Sequence, residues 1–203
     1  MNNKITLALA LLLLVFVSIS CQKDEDGEPE EQLMPLQVGN EWVYDLTDFD
    51  NAGNVLNKNR IYRAVSKDTL INRATYYVLN DRTIVRNTRE GYVYYSIAGN
   101  MDVILYQSAS YGGIGYGYQY PNYLLYVLTS RSTEQAPIVG SVFNLSGYAF
   151  EIKREYQQTN SSTITTIQKD YVAPGVGLVR SDTYYGDSNV LMRRQELVSY
   201  QLR

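Results

Sequence analysis

The chain has 203 residues and a formal charge of −3, with one cysteine and no histidine. Without histidine it cannot build a His-based catalytic triad or an ordinary zinc site, and one cysteine cannot form a disulfide within the chain. The sequence contains neither a P-loop nor a dinucleotide-binding fingerprint. We therefore expect no bound metal, no cofactor and no enzyme of these classes.

The N-terminal segment predicts export. An apolar stretch runs from Ile5 to Val17, and the small residue Ser20 stands directly before Cys21. This order is typical of a secretory signal peptide, and an apolar run of about 15 residues is shorter than the roughly 20 that span a bilayer. The segment resembles a bacterial lipobox, which implies that residues 1–20 are cleaved. Cys21 would then carry acyl chains, palmitate among them, that anchor the protein to a membrane.

Residues 21–34 are predicted to form a flexible tether. From residue 22 to residue 32 there is no apolar side chain, and six carboxylates face one lysine, so the segment should be solvated and self-repelling. The run Gln22-Lys23-Asp24-Glu25 resembles the export signal of Bacteroidota-type surface lipoproteins, in which Lys or Gln and then two acidic residues follow the acylated cysteine. The resemblance implies an outer-membrane protein that faces the cell exterior.

Residues 35–203 have a length that suits one domain with a sizeable core. Loss of Lys4 with the signal peptide makes the mature charge −4, and the tether carries −5, so the body is near +1. A body with so little net charge offers no basic stripe for nucleic acid. We expect a single β-rich domain that does not bind nucleic acid, and the sequence does not indicate its oligomeric state.

The body is predicted to be all-β, because Tyr, Val, Ile and Thr alternate in short runs between turn residues. In the first run, Trp42, Tyr44 and Leu46 fall on one face, while Glu41 and Asp45 fall on the other. Similar runs lie near residues 55–66, 69–80, 83–88, 92–97, 101–107, 123–129, 148–157, 163–173, 178–185 and 190–201. They predict an antiparallel meander of about ten strands, whose curved sheet forms a half-barrel or barrel or splits into a sandwich.

Two phrases at the ends of the body resemble ones that recur in uncharacterised β-rich bacterial lipoproteins. They are Pro35–Tyr44 at the start and Ala173–Val179 in a late hairpin. The resemblance rests on turn and core residues and implies no activity. Between them, Asp68-Thr69-Leu70 matches the Asp-Thr/Ser-aliphatic pattern that is O-glycosylated in exported proteins of the same bacterial group, so Thr69 is a candidate modification site.

Carboxylates leave two further alternatives. Asp48–Gly53 begins like a calcium loop, but Ala52 occupies a ligand position, so a hairpin turn is the better interpretation. Glycosidases use two acids about 5 to 9.5 Å apart, and the sequence does not show which acids could form such a pair. The acids considered are Glu41, Asp45, Asp102, Glu151, Glu155 and Glu196.

The segment from residue 111 to residue 123 combines five tyrosines with four glycines. It is too rich in glycine for a good strand interior, so we predict a long loop. Tyrosine suits binding loops because it offers an apolar ring and a polar tip with little rotamer entropy to lose. The alternative is a loop whose rings fold back over the open end of a barrel. The candidate ligand-binding residues are Tyr111, Tyr116, Tyr118, Tyr120 and Tyr123.

These features favour a non-enzymatic surface lipoprotein that binds glycan or protein, as a binding or accessory module. A second interpretation is a carrier or structural protein, in which the curved sheet encloses an apolar groove for lipid or lipoprotein. A carboxylate hydrolase is the third. The sequence does not identify the ligand.

Overall fold

The computed structural model describes residues 31–109, 113–120, 122–158, 164–186 and 188–203. The predicted signal peptide, Cys21 and the export signal Gln22-Lys23-Asp24-Glu25 lie outside these residues, and so does Tyr111. Within the described ranges, no helix is long and apolar enough to cross a membrane.

The described chain consists of thirteen strands joined by turns and short loops. They are β1 (Glu41–Phe49), β2 (Val55–Ile71), β3 (Ala74–Leu79), β4 (Ile84–Thr88), β5 (Gly91–Ser96), β6 (Met101–Gln107), β7 (Ile114–Gln119), β8 (Tyr123–Arg131), β9 (Ala136–Val139), β10 (Asn144–Gln158), β11 (Ile164–Ala173), β12 (Gly177–Tyr184) and β13 (Leu191–Gln201). Eleven of them correspond to the runs found in the sequence, and β7 and β9 are additional.

The strands pair antiparallel in the order β6-β5-β4-β3-β2-β1-β13-β12-β11-β10-β8-β7, with β9 on β10 outside this path. The sheet curls until β6 lies close to β8. Within the described residues β6 and β7 do not pair with each other, so a seam remains between these two edge strands. The all-β antiparallel prediction is confirmed, and the architecture is a nearly closed barrel rather than a sandwich.

The alternation in β1 places its residues as the sequence predicts. Trp42 and Tyr44 are fully buried in the barrel. On the opposite face, the Asp45 carboxylate accepts a hydrogen bond of 2.7 Å from Nε of Arg60 on β2. One face of the strand therefore packs in the core while the other meets solvent.

The turn between β1 and β2 is the hairpin expected in place of a calcium loop. Asp50 Oδ1 accepts hydrogen bonds from the backbone N–H groups of Ala52 and Asn54, at 2.9 and 2.8 Å. Asp48 is occupied elsewhere, because Arg193 Nε lies 2.6 Å from its Oδ1. The two carboxylates thus stabilise the turn and the β1–β13 pairing.

One end of the barrel is closed by the two phrases from the ends of the body. Trp42 Nε1 donates a 2.7 Å hydrogen bond to the carbonyl oxygen of Val176 in the β11–β12 turn. Gly177 follows with φ +103°, and a Cβ there would lie 2.9 Å from Sδ of Met34. Residues far apart in sequence therefore meet at one packed layer.

The packed body begins before residue 35. Leu33 and Met34, at the end of the segment assigned to the tether, are each only 2% exposed and belong to the main hydrophobic core. The Met34 carbonyl oxygen also accepts a 2.8 Å hydrogen bond from Asn87 Nδ2. These two apolar residues close the barrel end. Their burial is favourable because it removes apolar side chains from water.

Candidate functional site

The described part of the Tyr/Gly segment is an edge strand, and the prediction of a long loop is wrong there. Strand β7 pairs with β8 from Ile114 opposite Thr129 to Gln119 opposite Leu124. Tyrosine and glycine alternate along this strand. All tyrosines then fall on one face, which is half-buried, and all glycines on the other.

Tyr116 and Tyr118 are half-buried at the seam of the barrel and do not project into solvent. The Tyr116 hydroxyl accepts a 3.1 Å hydrogen bond from the backbone N–H of Ile104 on β6, across the seam. Burial raises the pKa of Tyr118 well above the usual value for tyrosine. The alternative of a loop folded over the open end is therefore not observed either, because these tyrosines pack from an edge strand at the seam.

Tyr120 and Tyr123 lie together at the end of the β7–β8 hairpin. Their rings stack with centroids 4.5 Å apart, and the Tyr156 ring of β10 lies 6.1 Å from that of Tyr123. Tyr120 is 39% exposed. Of the predicted tyrosines with described positions, it is the one that presents the most ring surface to solvent.

The outer face of the hairpin carries an open groove of about 650 Å³. Gly115 and Gly117 of β7 form part of its floor, and Tyr126 and Leu128 of β8 lie in it. These two apolar side chains are 45% and 46% exposed. Large apolar side chains that stay exposed side by side mark interaction surfaces more often than scattered ones do.

The glycines let the neighbouring side chains lie flat on the sheet. A Cβ at Gly117 would come within 3.4 Å of Tyr126 Cε1, and one at Gly113 within 2.7 Å of Leu128 Cδ1. Aromatic side chains commonly cover glycines on a neighbouring edge strand. Here that arrangement leaves one face of Tyr126 uncovered, which makes a smooth apolar floor.

Polar side chains of β10 border this floor. Lys153, Glu155 and Gln157 line the groove, and Lys153 Nζ lies 2.8 Å from Glu155 Oε1. Both ionic side chains are about one third exposed, at 37% and 33%. The groove thus combines an aromatic floor with donors and acceptors at its border and little net charge.

A second polar cluster lies inside the barrel. The Asp170 carboxylate is buried and accepts hydrogen bonds from Tyr106 Oη at 2.8 Å and from Gln168 Nε2 at 2.8 and 2.9 Å. Arg154 Nη1 in turn donates to Gln168 Oε1 at 2.8 Å. Burial raises the pKa of the Asp170 carboxyl, and hydrogen bonds from Ser181, Gln168 and Tyr106 partly offset this.

The buried acids do not form a catalytic pair. Asp170 lies opposite Ser181, and Asp182 lies opposite Lys169, so the two carboxylates face opposite sides of the sheet. On the outer side, Arg194 Nε donates to Asp182 at 2.7 Å. No group of three or more acids, histidines or cysteines that could hold a metal ion occurs in the described residues.

The acids considered in the sequence are mostly bound to outer-surface partners. Asp102 accepts from Arg86 Nη2 at 2.7 Å, and Glu196 accepts from the Ser141 backbone N–H. The others pair as Glu41 with Tyr62, Asp45 with Arg60, Glu151 with Lys169 and Glu155 with Lys153. These carboxylates stabilise strand pairings.

Thr69 lies in the outer part of β2, opposite Tyr76 of β3, and is half-buried. The adjacent Leu70 is 73% exposed. O-glycosylation of Thr69 stays a prediction.

Sequence patterns did not reveal the groove residues Tyr126 and Leu128. Strand β8 was predicted, but its apolar residues run almost continuously from Tyr123 to Leu128. An uninterrupted apolar run has no period from which a buried face can be chosen. The useful signal was the neighbouring Gly-Tyr-Gly-Tyr alternation, which fixes the face of β7 that lacks side chains.

No protein-family model matches the chain, and a search of curated proteins finds no similar sequence. A solved structure of a Parabacteroides distasonis protein assigned as a lipoprotein is similar, with a TM-score of 0.50 and 17% identity over 84% of this chain and 99% of that chain. A Bacteroides fragilis protein assigned as exported, with a YMCC-like fold, has a TM-score of 0.49 and 12% identity over 85% of this chain and 100% of that chain. At 17% identity, the likeness to the first structure shows a shared fold.

Proposed function

We propose that the protein is a lipoprotein anchored in the outer membrane through Cys21, faces the cell exterior and binds glycans without catalysing a reaction. The observation that carries the binding proposal is the outer groove of the β7–β8 hairpin. Its floor consists of exposed Tyr126 and Leu128 beside two glycines, and polar groups of β10 border it. A sugar ring has an apolar C–H face and a rim of hydroxyl groups, which match this arrangement.

The electrostatics of the groove favour a neutral glycan. Lys153 and Glu155 form an ion pair at its border, so neither sign of charge dominates. A neutral hydroxyl can donate to the Glu155 carboxylate and accept from the lysine, while an ionic ligand would be attracted by one partner and repelled by the other, with little net gain. The amide of Gln157 adds a neutral donor and acceptor.

Three features support the proposed location. The segment from Ile5 to Cys21 has the order of a lipoprotein signal peptide, and the run Gln22-Lys23-Asp24-Glu25 resembles a surface export signal. A solved structure that shares the fold is of a protein assigned as a lipoprotein. The acidic residues between the anchor and the body would hold the groove away from the membrane by mutual repulsion.

A non-enzymatic role is proposed because the groove contains no pair of acids. Glu155 is the carboxylate that lines it, and this residue is paired with Lys153. The buried acids Asp170 and Asp182 lie on opposite faces of the sheet. A glycosidase requires two carboxyl groups on either side of one bond.

The first prediction concerns Tyr126. Purified protein should bind at least one of dextran, mannan and xylan on a polysaccharide array, and Tyr126→Ala should weaken that binding about tenfold, equivalent to about 1.4 kcal/mol. Intact cells that display the wild-type protein should bind the same labelled polysaccharide.

Tyr62→Ala is the matched control, because Tyr62 is 49% exposed on another strand and should not affect binding. If none of the three polysaccharides binds the purified protein, the glycan proposal is wrong. If the purified protein binds and intact cells do not, surface display is wrong while the binding site stands.

A further inference from the structure

A cavity of about 460 Å³ lies at the seam, inside the barrel. Its volume falls within the roughly 300–1,000 Å³ of pockets that enclose small molecules. The cavity is distinct from the outer groove, because inward-facing residues of β5, β6, β7, β8 and β10 form most of its lining, and it shares Gly117 and Val127 with the groove. Apolar walls come from Tyr94, Leu105, Tyr118, Leu125, Val127 and Ile152.

One cationic side chain, Arg154, lines this cavity. It lies on the inner face of β10, between the buried Ile152 and the half-buried Tyr156. Its Nη1 donates to Gln168 Oε1 at 2.8 Å, and no carboxylate of the described residues lies within ion-pair distance of it. A guanidinium has five N–H donors in a fixed fork that matches a carboxylate.

The groups around Arg154 define its electrostatic role. Gln168 connects Arg154 to the buried Asp170, and the positive charge of Arg154 favours the ionised form of that carboxyl. Tyr106 and Ser181 also bind Asp170. Gln168 separates the guanidinium of Arg154 from the Asp170 carboxylate, and Arg154 also lines the cavity. An anion bound in the cavity could therefore interact with the guanidinium directly.

We infer that the cavity binds a single-chain amphiphile with an anionic head group, with the head group against Arg154 and the apolar chain against Leu125, Val127 and Ile152. This inference develops the carrier interpretation of the curved sheet and does not depend on the glycan proposal. The walls supply an apolar surface for the chain, and the guanidinium supplies the charge that a neutral lipid would not use.

The seam gives the ligand a route into the cavity. Ile104 of β6 and Gly117 of β7 both line the cavity, and strands β6 and β7 do not pair with each other in the described residues. The Tyr116 hydroxyl bonds the Ile104 N–H across the gap. A side-chain contact can open without breaking a strand ladder, so entry would leave the sheet intact.

Isothermal titration calorimetry with three twelve-carbon probes tests the inference, each below its micelle concentration. The probes are dodecanoate, dodecanol and dodecyltrimethylammonium. The protein is the whole mature chain with Cys21→Ser, so that no attached acyl chain competes. Dodecanoate should bind with a dissociation constant at least tenfold lower than either of the other two.

Arg154→Met should remove this preference, while Arg154→Lys, which keeps the charge, should retain most of it. Ser96→Trp, which introduces a large side chain into the cavity lining from β5, should weaken dodecanoate binding at least fivefold. It provides a second test if Arg154→Met does not fold, as judged by circular dichroism.

The inference is overturned if dodecanoate does not bind, if dodecanol binds equally well, or if the folded Arg154→Met variant keeps the preference. The two proposed sites can fail independently. Tyr126→Ala should leave dodecanoate binding unchanged, and Ser96→Trp should leave polysaccharide binding unchanged.

Discussion

Asp170 is the residue at which burial and hydrogen bonding oppose each other most directly. Burial disfavours its ionised form, while Gln168, Tyr106 and Ser181 donate to the carboxylate. The net result is a raised pKa, with desolvation as the largest cause. The folded protein therefore binds the Asp170 proton more tightly than the unfolded chain does.

This raised pKa has a defined consequence for stability. A carboxyl whose pKa is higher in the folded state stabilises the fold most below its unfolded pKa, and this contribution is lost as the pH rises through the folded pKa. From about pH 3 to about pH 7, the wild-type free energy of unfolding should therefore fall relative to that of Asp170→Asn. Urea denaturation of both proteins across this range measures the difference.

Asp68→Asn serves as the control, because Asp68 is exposed on β2. Its stability difference from wild type should change much less with pH. A difference between wild type and Asp170→Asn that stays constant, or that moves in wild type's favour with rising pH, contradicts the prediction.

Among the elements, β7 shows how a strand can form from a sequence that is unfavourable on its own. Glycine weakens a strand interior because it lacks a side chain to pack and has more backbone entropy to lose. In β7 the loss is offset by the inner face, where Tyr116 and Tyr118 pack, and by Tyr126, which covers Gly117. The neighbouring strand therefore decided the outcome, which local propensity could not predict.

The β11–β12 turn provides a matched pair of glycines. Gly175 and Gly177 both have positive φ, at +73° and +103°. A Cβ at Gly175 would meet no atom within 4 Å, whereas one at Gly177 would lie 2.9 Å from Met34 Sδ. A side chain at Gly175 would cause backbone strain alone, whereas one at Gly177 would also collide with Met34 in the core.

Gly175→Ala should accordingly lower the free energy of unfolding by about 1–2 kcal/mol, from strain in the left-handed conformation. Gly177→Ala should lower it further, because Met34 must move from its buried position. Chemical denaturation of both variants gives the comparison. Equal losses would mean that the Met34 contact has no energetic effect.

For the whole molecule, closure of the barrel end depends on the segment before residue 35. Leu33 and Met34 are buried there, and the Gln32 carbonyl oxygen accepts a 2.8 Å hydrogen bond from the Gly175 N–H. A fully buried large apolar side chain stabilises a fold by about 1.5–3 kcal/mol. These residues are therefore structural, although they directly follow an acidic tether.

A chain that starts at Pro35 should be less stable than one that starts at Glu31 by at least about 3 kcal/mol. Leu33→Ala/Met34→Ala in the longer chain should reproduce most of the loss. Differential scanning calorimetry of the three proteins provides the measurement. If the chain from Pro35 and the Leu33→Ala/Met34→Ala variant both unfold at the same temperature as the chain from Glu31, the N-terminal segment does not stabilise the barrel.

The sequence alone determined the fold class, most strand positions and the β1–β2 turn. The alternation of Trp42 and Tyr44 with polar residues is local and has a period of two, so it can be interpreted without knowing the partner strand. The tertiary structure decided which strands meet, and hence the seam, the cavity and the outer groove. Tyr126 and Arg154 became candidate binding residues only when pairing put Tyr126 beside Gly117 of β7 and Arg154 beside Val127 of β8, because register is a property of two strands and not of one.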